Sequence, residues 1–210
     1  MKKVLLSTVA IMVFGFMSAQ EEVKSTTSDV KFGAKGGVNF ANLAGDDAGD
    51  ASMFVGFNVG FFVEIPVTDK LIIQPELLYS AQGSKSEGPL VVDGSLYDVK
   101  ATMKLNYINV PVIFKYKVVE KFSIEAGPYV GFLTSAKIKV DVDGYGSATE
   151  DMKDLVKSTD FGLALGMNYE FSDIIFANAR FQGGLTQIGD TGAGDDIKNS
   201  VFQLGLGFRF

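Results

Sequence analysis

Between Ser200 and Phe210 the side chains alternate strictly in character. Phe202, Leu204, Leu206, Phe208 and Phe210 share one parity, while Val201, Gln203, Gly205, Gly207 and Arg209 share the other. Successive side chains of a β-strand point to opposite faces, so the segment reads as a strand with one continuously apolar face. Its other face is small, polar or charged. In a soluble sandwich the apolar face would turn to a core. In a membrane barrel the pattern is inverted, with apolar residues on the lipid and polar residues in the lumen.

The period of two recurs in seven earlier segments. Phe32, Ala34, Val38 and Phe40 oppose Lys35 and Asn39, and Val55, Phe57, Val59, Phe61, Val63 and Ile65 oppose Asn58 and Glu64. Ile73, Leu77 and Tyr79 oppose Gln74, Glu76, Ser80 and Gln82. The run over 100–116 changes parity between Tyr107 and Ile108, as a β-bulge would make it do. Further strands cover 122–136, 158–170 and 174–185. Pro75, Pro111 and Pro128 fall inside these runs; lacking a ladder donor, they are expected at bulges or near the short-turn rim.

Connections are short at 67–70, 117–121 and 171–173, and long and rich in Gly and Asp at 44–52, 84–99, 137–157 and 186–199. In an up-and-down barrel this alternation puts all short turns at one end and all long loops at the other, as in outer-membrane barrels. Each strand, at about 10–13 residues, can cross a bilayer when tilted. A soluble lipocalin-like barrel is the competing architecture.

The start of the chain bears on that choice. Lys2 and Lys3 precede an apolar run from Val4 to Phe16, and Ser18-Ala19 ends it. Basic start, short apolar stretch and small residue at the cut describe a secretory signal peptide over 1–19, with a flexible lead over 20–30 and the barrel over 31–210. Removing Lys2 and Lys3 takes the net charge from −6 to −8, which argues against nucleic acid as a partner. The chain has no Cys and no His. An exported protein without disulfides is held by burial or by a closed hydrogen-bonded sheet. Ser-His-Asp and Cys-His chemistry are excluded, and no nucleotide or zinc motif is present, so no catalytic, cofactor or metal residue is assigned. The acidic runs Asp46-Asp47, Asp141 to Gly144, Glu150-Asp151 and Asp190 to Asp196 match no calcium-loop pattern and read as solvated surface.

Four segments, Lys31 to Phe40, Leu71 to Ser80, Tyr107 to Tyr116 and Ile124 to Gly131, make the chain similar to the Bacteroidetes-type outer-membrane β-barrel family. This is the small "porin family" group that includes PorT-like proteins of the type IX secretion system. Asn109 stands where an acidic residue is usual before Pro111. The resemblance implies an all-β fold: an eight-stranded antiparallel transmembrane barrel with short periplasmic turns and long extracellular loops. It also implies residence in a Gram-negative outer membrane, contact with lipid and lipopolysaccharide, and delivery by the barrel-assembly machinery, with Phe208 and Phe210 as the C-terminal assembly signal. Other envelope proteins are further expected partners.

Inward parity collects Lys35, Glu64, Glu76, Lys115, Glu125, Asp160, Glu170, Arg180 and Arg209, with Asn58, Gln74, Gln82, Asn168, Asn178 and Gln203 among them. The interior of an eight-stranded barrel is just wide enough for side chains to fill, and buried charges there must be paired. Arg180 and Arg209 are expected to bridge Glu76, Glu125 or Glu170. Aromatic girdles are expected from Phe32, Phe61, Phe62, Tyr116, Phe122, Tyr169, Phe171 and Phe210 at the short-turn end, and from Phe40, Phe54, Tyr79, Phe132 and Phe161 at the other. The resulting expectation is a non-enzymatic barrel with a plugged, charge-paired interior and a structural or surface-interaction role. A small porin-like channel and an accessory barrel of a secretion complex are the alternatives.

Overall fold

The two-residue period becomes a closed antiparallel sheet in the computed structural model, which describes residues 30–45, 51–92, 95–142, 144, 146–189 and 196–210. The expected leader over 1–19, the lead as far as residue 29, and the acidic runs at 46–50 and 190–195 lie outside the described residues. The strands are β1 (Lys31–Ala44), β2 (Ser52–Pro66), β3 (Leu71–Val92), β4 (Ser95–Val119), β5 (Phe122–Val142), β6 (Gly146–Asp151), β7 (Thr159–Glu170), β8 (Ile175–Gly184) and β9 (Lys198–Arg209). Each barrel strand pairs with its neighbour around the ring, β1 with β9 and β4 with β5 completing it; β6 pairs only with β5, so eight strands form the barrel. The closing seam runs from Gly33 opposite Arg209 to Ala44 opposite Lys198. Beyond it the amide of Phe210 donates to the carbonyl of Phe32 at 2.9 Å.

The short turns cluster at one end, beside the start of β1 and the end of β9. Thr68 Oγ1 accepts the Leu71 amide and Ser172 Oγ accepts the Ile175 amide, so two of the turns close on their own hydroxyls. The opposite end departs from the expected loops. Residues 84–92 and 95–103 continue β3 and β4 as a paired hairpin, with Ser84 opposite Met103 and Val92 opposite Ser95. The far part of β5 joins it, and β6 lies along β5 from Lys137 opposite Asp151 to Val142 opposite Gly146. On one side of the barrel a sheet therefore stands above the rim: it is four strands wide from Ser84 to Gly88 of β3, and the β3–β4 hairpin alone continues to Val92, about 27 Å of extended chain beyond Ser84. Its alternation had been masked by the Gly, Ser and Asp residues it carries.

The expected parity change in β4 has a different cause. Leu105, Tyr107, Asn109, Ile113 and Lys115 all face inward, so β4 keeps its phase. The irregularity sits on the partner strand: Tyr107 opposes Leu133 but Asn106 opposes Ser135, leaving Thr134 extra in β5. The Thr134 hydroxyl donates to the Asn106 carbonyl at 2.9 Å and so occupies an acceptor at the bulge. After the bulge, Ala136 and Ile138 take over the inward face. What looked like a slip was a pair of apolar residues, Leu105 and Tyr107, pointing inward.

The prolines do not sit at bulges. Pro75 opposes Val112, Pro111 opposes Tyr129 and Pro128 opposes Leu163, none at a register shift. The ladder instead skips 76–77 against 110–111 and 112–113 against 127–128, local gaps beside residues that cannot donate, with the register intact on either side.

Candidate functional site

The outer surface of the barrel is apolar. Val55, Phe57, Val59, Phe61, Leu77, Phe114, Ile124, Leu163, Leu165, Met167, Leu204 and Leu206 all lie exposed on it. The inside is where polar chemistry is concentrated, and the closed sheet holds all nine of the charged residues selected by parity on its inner wall.

Nearest the short turns, Glu64 receives Lys115 Nζ at 3.0 Å and Arg209 Nε at 2.7 Å. A second Arg209 nitrogen reaches Glu170 at 2.7 Å. Two carboxylates thus meet two cations. Both cations also lie over the Phe176 ring, Lys115 Nζ at 4.6 Å and Arg209 Cζ at 4.8 Å from its centroid.

Deeper in, Arg180 is 1 % exposed and clamps Glu76 with two nitrogens, each at 2.8 Å. Its Nε donates to Glu125 at 2.6 Å. Lys35 Nζ reaches the Glu76 carboxylate at 3.2 Å, and Gln74 Nε2 donates to the same group. Asn168 Nδ2 takes the second oxygen of Glu125. Again two carboxylates meet two cations, so the layer is neutral and the oxygens of both carboxylates are bonded. A fork-shaped guanidinium suits this position because it engages two acids at once in fixed geometry.

Next comes a layer of amides. Asn39 Nδ2 donates to Ser80 Oγ and the Ala81 carbonyl, both at 2.9 Å, and its Oδ1 accepts from Asn58 at 2.6 Å and from Gln203 at 3.1 Å. Asn109 is buried here with its Nδ2 unpartnered among the described residues. Asp160 lies on the loop side. It accepts from Tyr129 Oη at 3.1 Å and Asn199 Nδ2 at 2.9 Å, and its Oδ1 has no partner among the described residues. No cation reaches it, which separates it from the other four acids of the set. Asp160→Asn is therefore expected to leave the unfolding midpoint unchanged or raise it, whereas Glu125→Gln lowers it by taking an acceptor from Arg180. Urea titrations of the two refolded variants check the opposite signs.

Toward the loop side lies an apolar cap that sequence reasoning did not foresee. Leu43, Leu105, Tyr107, Leu133, Ala136, Val156 and Ile188 form one buried cluster, with Met103, Met152 and Ile197 packed on it. Val156 and Ile188 come from long connections that fold back across the opening. The Lys157 amide donates to Ile188 and the Leu133 amide to Ser158, at 2.9 and 2.8 Å, and Val156 bridges Gly189. The available signal was the placing of Met152, Val156, Ile188 and Ile197 inside otherwise polar loops.

A second unforeseen feature packs the wall. Phe62 opposes Gly33, Phe176 opposes Gly207 and Tyr129 opposes Gly162, in each case as direct cross-strand partners. A Cβ at any of the three glycines would run into the partner's ring. The missing side chain is what lets an aromatic ring lie flat inside a narrow barrel. Phe62 is thus an interior residue, 2 % exposed, and leaves the expected girdle; its ring meets Phe176 edge-on at 5.5 Å. The other short-turn aromatics point outward, with Tyr169 and Phe171 in edge contact at 5.3 Å. Phe208 and Phe210 are also outward, their rings 6.5 Å apart.

The profile of the family described as outer membrane protein beta-barrel domain matches residues 18–190. No curated protein matches the chain. Among solved structures, Ail, the attachment invasion locus protein of Yersinia pestis, is similar at 15 % identity over 87 % of this chain and 100 % of that one, with a TM-score of 0.49. Neisserial surface protein A aligns at 10 % identity over 87 % and 100 %, with a TM-score of 0.49. The outer membrane protein OprG from Pseudomonas aeruginosa aligns at 16 % identity over 90 % and 99 %, with a TM-score of 0.39.

Proposed function

Since the chain belongs to the outer membrane protein beta-barrel domain family, we propose that it is a non-conducting, non-enzymatic outer-membrane barrel that acts at the cell surface through its raised sheet. The packing of the inward side chains supports this reading. The two neutral ion-pair layers around Glu64 and Glu76 are followed by amides and then by the apolar cap around Leu105 and Ile188. A permeating ion would have to break charge-assisted bonds between fully buried partners and then cross a dry layer. Both steps are costly, because removing one partner of a buried pair costs about 3–5 kcal/mol.

With the interior closed, the parts left to make contacts are the rim and the sheet formed by the outer portions of β3, β4, β5 and β6. The strands at its two sides, β3 beyond Lys85 and β6, have backbone edges with no strand partner among the described residues, and such edges are natural templates for pairing. An accessory role in a type IX secretion assembly would work through these surfaces. The outward placing of the C-terminal aromatics fits a role for Phe208 and Phe210 in delivery by the assembly machinery, since both rings lie on the outer face where a partner can read them.

The amide layer supports a second reading, a narrow channel. Gln82 Oε1, Gln182 Nε2 and Gln203 Oε1 lack partners among the described residues and could bond water, the oxygens as acceptors and the nitrogen as a donor. That layer is bounded on one side by the Arg180 cluster and on the other by the cap, which favours an enclosed pocket over a path. Ion conductance of the refolded barrel in a planar bilayer separates the two readings, with silence expected.

A further inference from the structure

Lys104 and Lys137 are direct cross-strand partners of β4 and β5. Both are exposed, and both belong to the outer face of the sheet, opposite in parity to inward Leu105 and Ala136. Cross-strand neighbours have their Cβ atoms about 4.5–5.5 Å apart, and like charges so placed repel. No salt bridge among the described residues relieves either one. A third ammonium lies close by: Lys153 Nζ donates at 3.1 Å to the carbonyl of Thr134, the bulge residue beside this rung. The one carboxylate on the rung is Asp151, opposite Lys137; its Oδ1 accepts the Lys153 amide at 2.9 Å. Three cations and one acid therefore share a rung of a chain whose net charge is −6. On the next rung Lys85 and Lys139 flank Thr102, with Lys139 held by Asp141 at 2.8 Å.

The position of the rung matters as much as its charge. Going outward along β4 and β5, Ile108 and Phe132 are the last outward-facing apolar pair. Lys104 lies four residues further, about 13 Å along the strand and about 10 Å in height for a strand tilted by about 40°. The headgroup layer occupies roughly 5–8 Å beyond the hydrocarbon on each side of a bilayer. The backbone at Lys104 thus lies just above that layer, and the long lysine stems are able to reach back along the strand and bring their ammonium groups to headgroup level.

We propose that Lys104, Lys137 and Lys153 form a binding site for the phosphate of an anionic glycolipid headgroup in the outer leaflet. The bound phosphate replaces repulsion between the paired lysines with two charge-assisted contacts. The site uses only the membrane location of the barrel and stands whether or not the interior conducts.

The test titrates the full barrel, folded in a neutral detergent, with phosphorylated lipid A, dephosphorylated lipid A and inorganic phosphate, following the thermal unfolding midpoint and the apparent affinity. Phosphorylated lipid A is expected to raise the midpoint and to bind at least ten-fold more tightly than its dephosphorylated form. In Lys104→Ala/Lys137→Ala that preference is expected to vanish, while Lys104→Arg/Lys137→Arg keeps it and Lys121→Ala, at the short-turn end, leaves it untouched. Without lipid, the double alanine variant is expected to unfold no earlier than the wild type, since repulsion has been removed. Undiminished preference in the double alanine variant would overturn the site. Equal affinity for inorganic phosphate would overturn it as a lipid site and make it a free-anion site.

Discussion

Replacing Arg180 with alanine is expected to destabilise the folded barrel by about 3–5 kcal/mol, the cost of breaking a buried ion pair from one side. Arg180 alone links Glu76 to Glu125, through contacts of 2.6 to 2.8 Å. Its loss leaves two acids buried with Lys35 as the nearest cation, and Lys35 touches only Glu76. Lys35→Ala should cost less, because Glu76 keeps the guanidinium and Gln74. Replacing Arg180, Glu76 and Glu125 together by neutral residues of similar volume should restore much of the loss, since no uncompensated charge then remains. Heat-modifiable migration and urea titration in lipid vesicles measure all three. An effect of Arg180→Ala below about 1 kcal/mol, the size of a solvated pair, would mean that the interior is wet and its pairs are screened.

Gly207→Val is expected to be the second severe substitution, through shape alone. A Cβ at Gly207 falls among the ring atoms of Phe176. That ring cannot yield easily: it is fully buried, edge-on to Phe62 at 5.5 Å, and lies beneath Lys115 and Arg209. Overpacking of a closed core costs about 1–3 kcal/mol and sometimes more. Here it also displaces both cations of the Glu64 cluster, so the upper end of that range is expected. Phe176→Ala alone should cost about 3–5 kcal/mol by leaving a cavity. The double variant should cost less than the two together, because each change relieves the other. Gly88→Ala, where a Cβ meets nothing, is the matched control and should be neutral. A double variant that is simply additive would show that the ring and the glycine do not share a space.

These two cases also mark how far the sequence can be read. Parity alone brings Arg180, Glu76 and Glu125 to one wall, because a strand has only two faces and one of them is apolar. It does not say which acid a given arginine reaches. That depends on the stagger between strands that are far apart in the chain, such as β3 and β8. Parity sets Phe62 with Asn58 and Glu64, and Phe176 with Asn178 and Arg180, on the inner face; assigning Phe62 to a girdle overrides that parity on the ground that aromatic residues of membrane strands are usually outward, and the glycine that makes room for each inward ring is on another strand. Leu105 and Tyr107 imitated a bulge for a related reason: the barrel changes solvent near its mouth, so apolar residues become inward. The raised sheet resembles loops in sequence because its residues are polar on one face and only half-buried on the other, which weakens the alternation that marks β-structure nearer the membrane.

Conductance across a planar bilayer is the most direct test of the closed interior. The refolded protein, verified as a barrel by heat-modifiable migration, should give no channel events above the protein-free membrane. Arg180→Ala, if inserted as a folded barrel, should remain silent as well, because the cap around Leu105, Val156 and Ile188 still closes the mouth. Steady, reproducible channels from the wild-type protein would contradict the account and make the lumen-facing charges a path for ions.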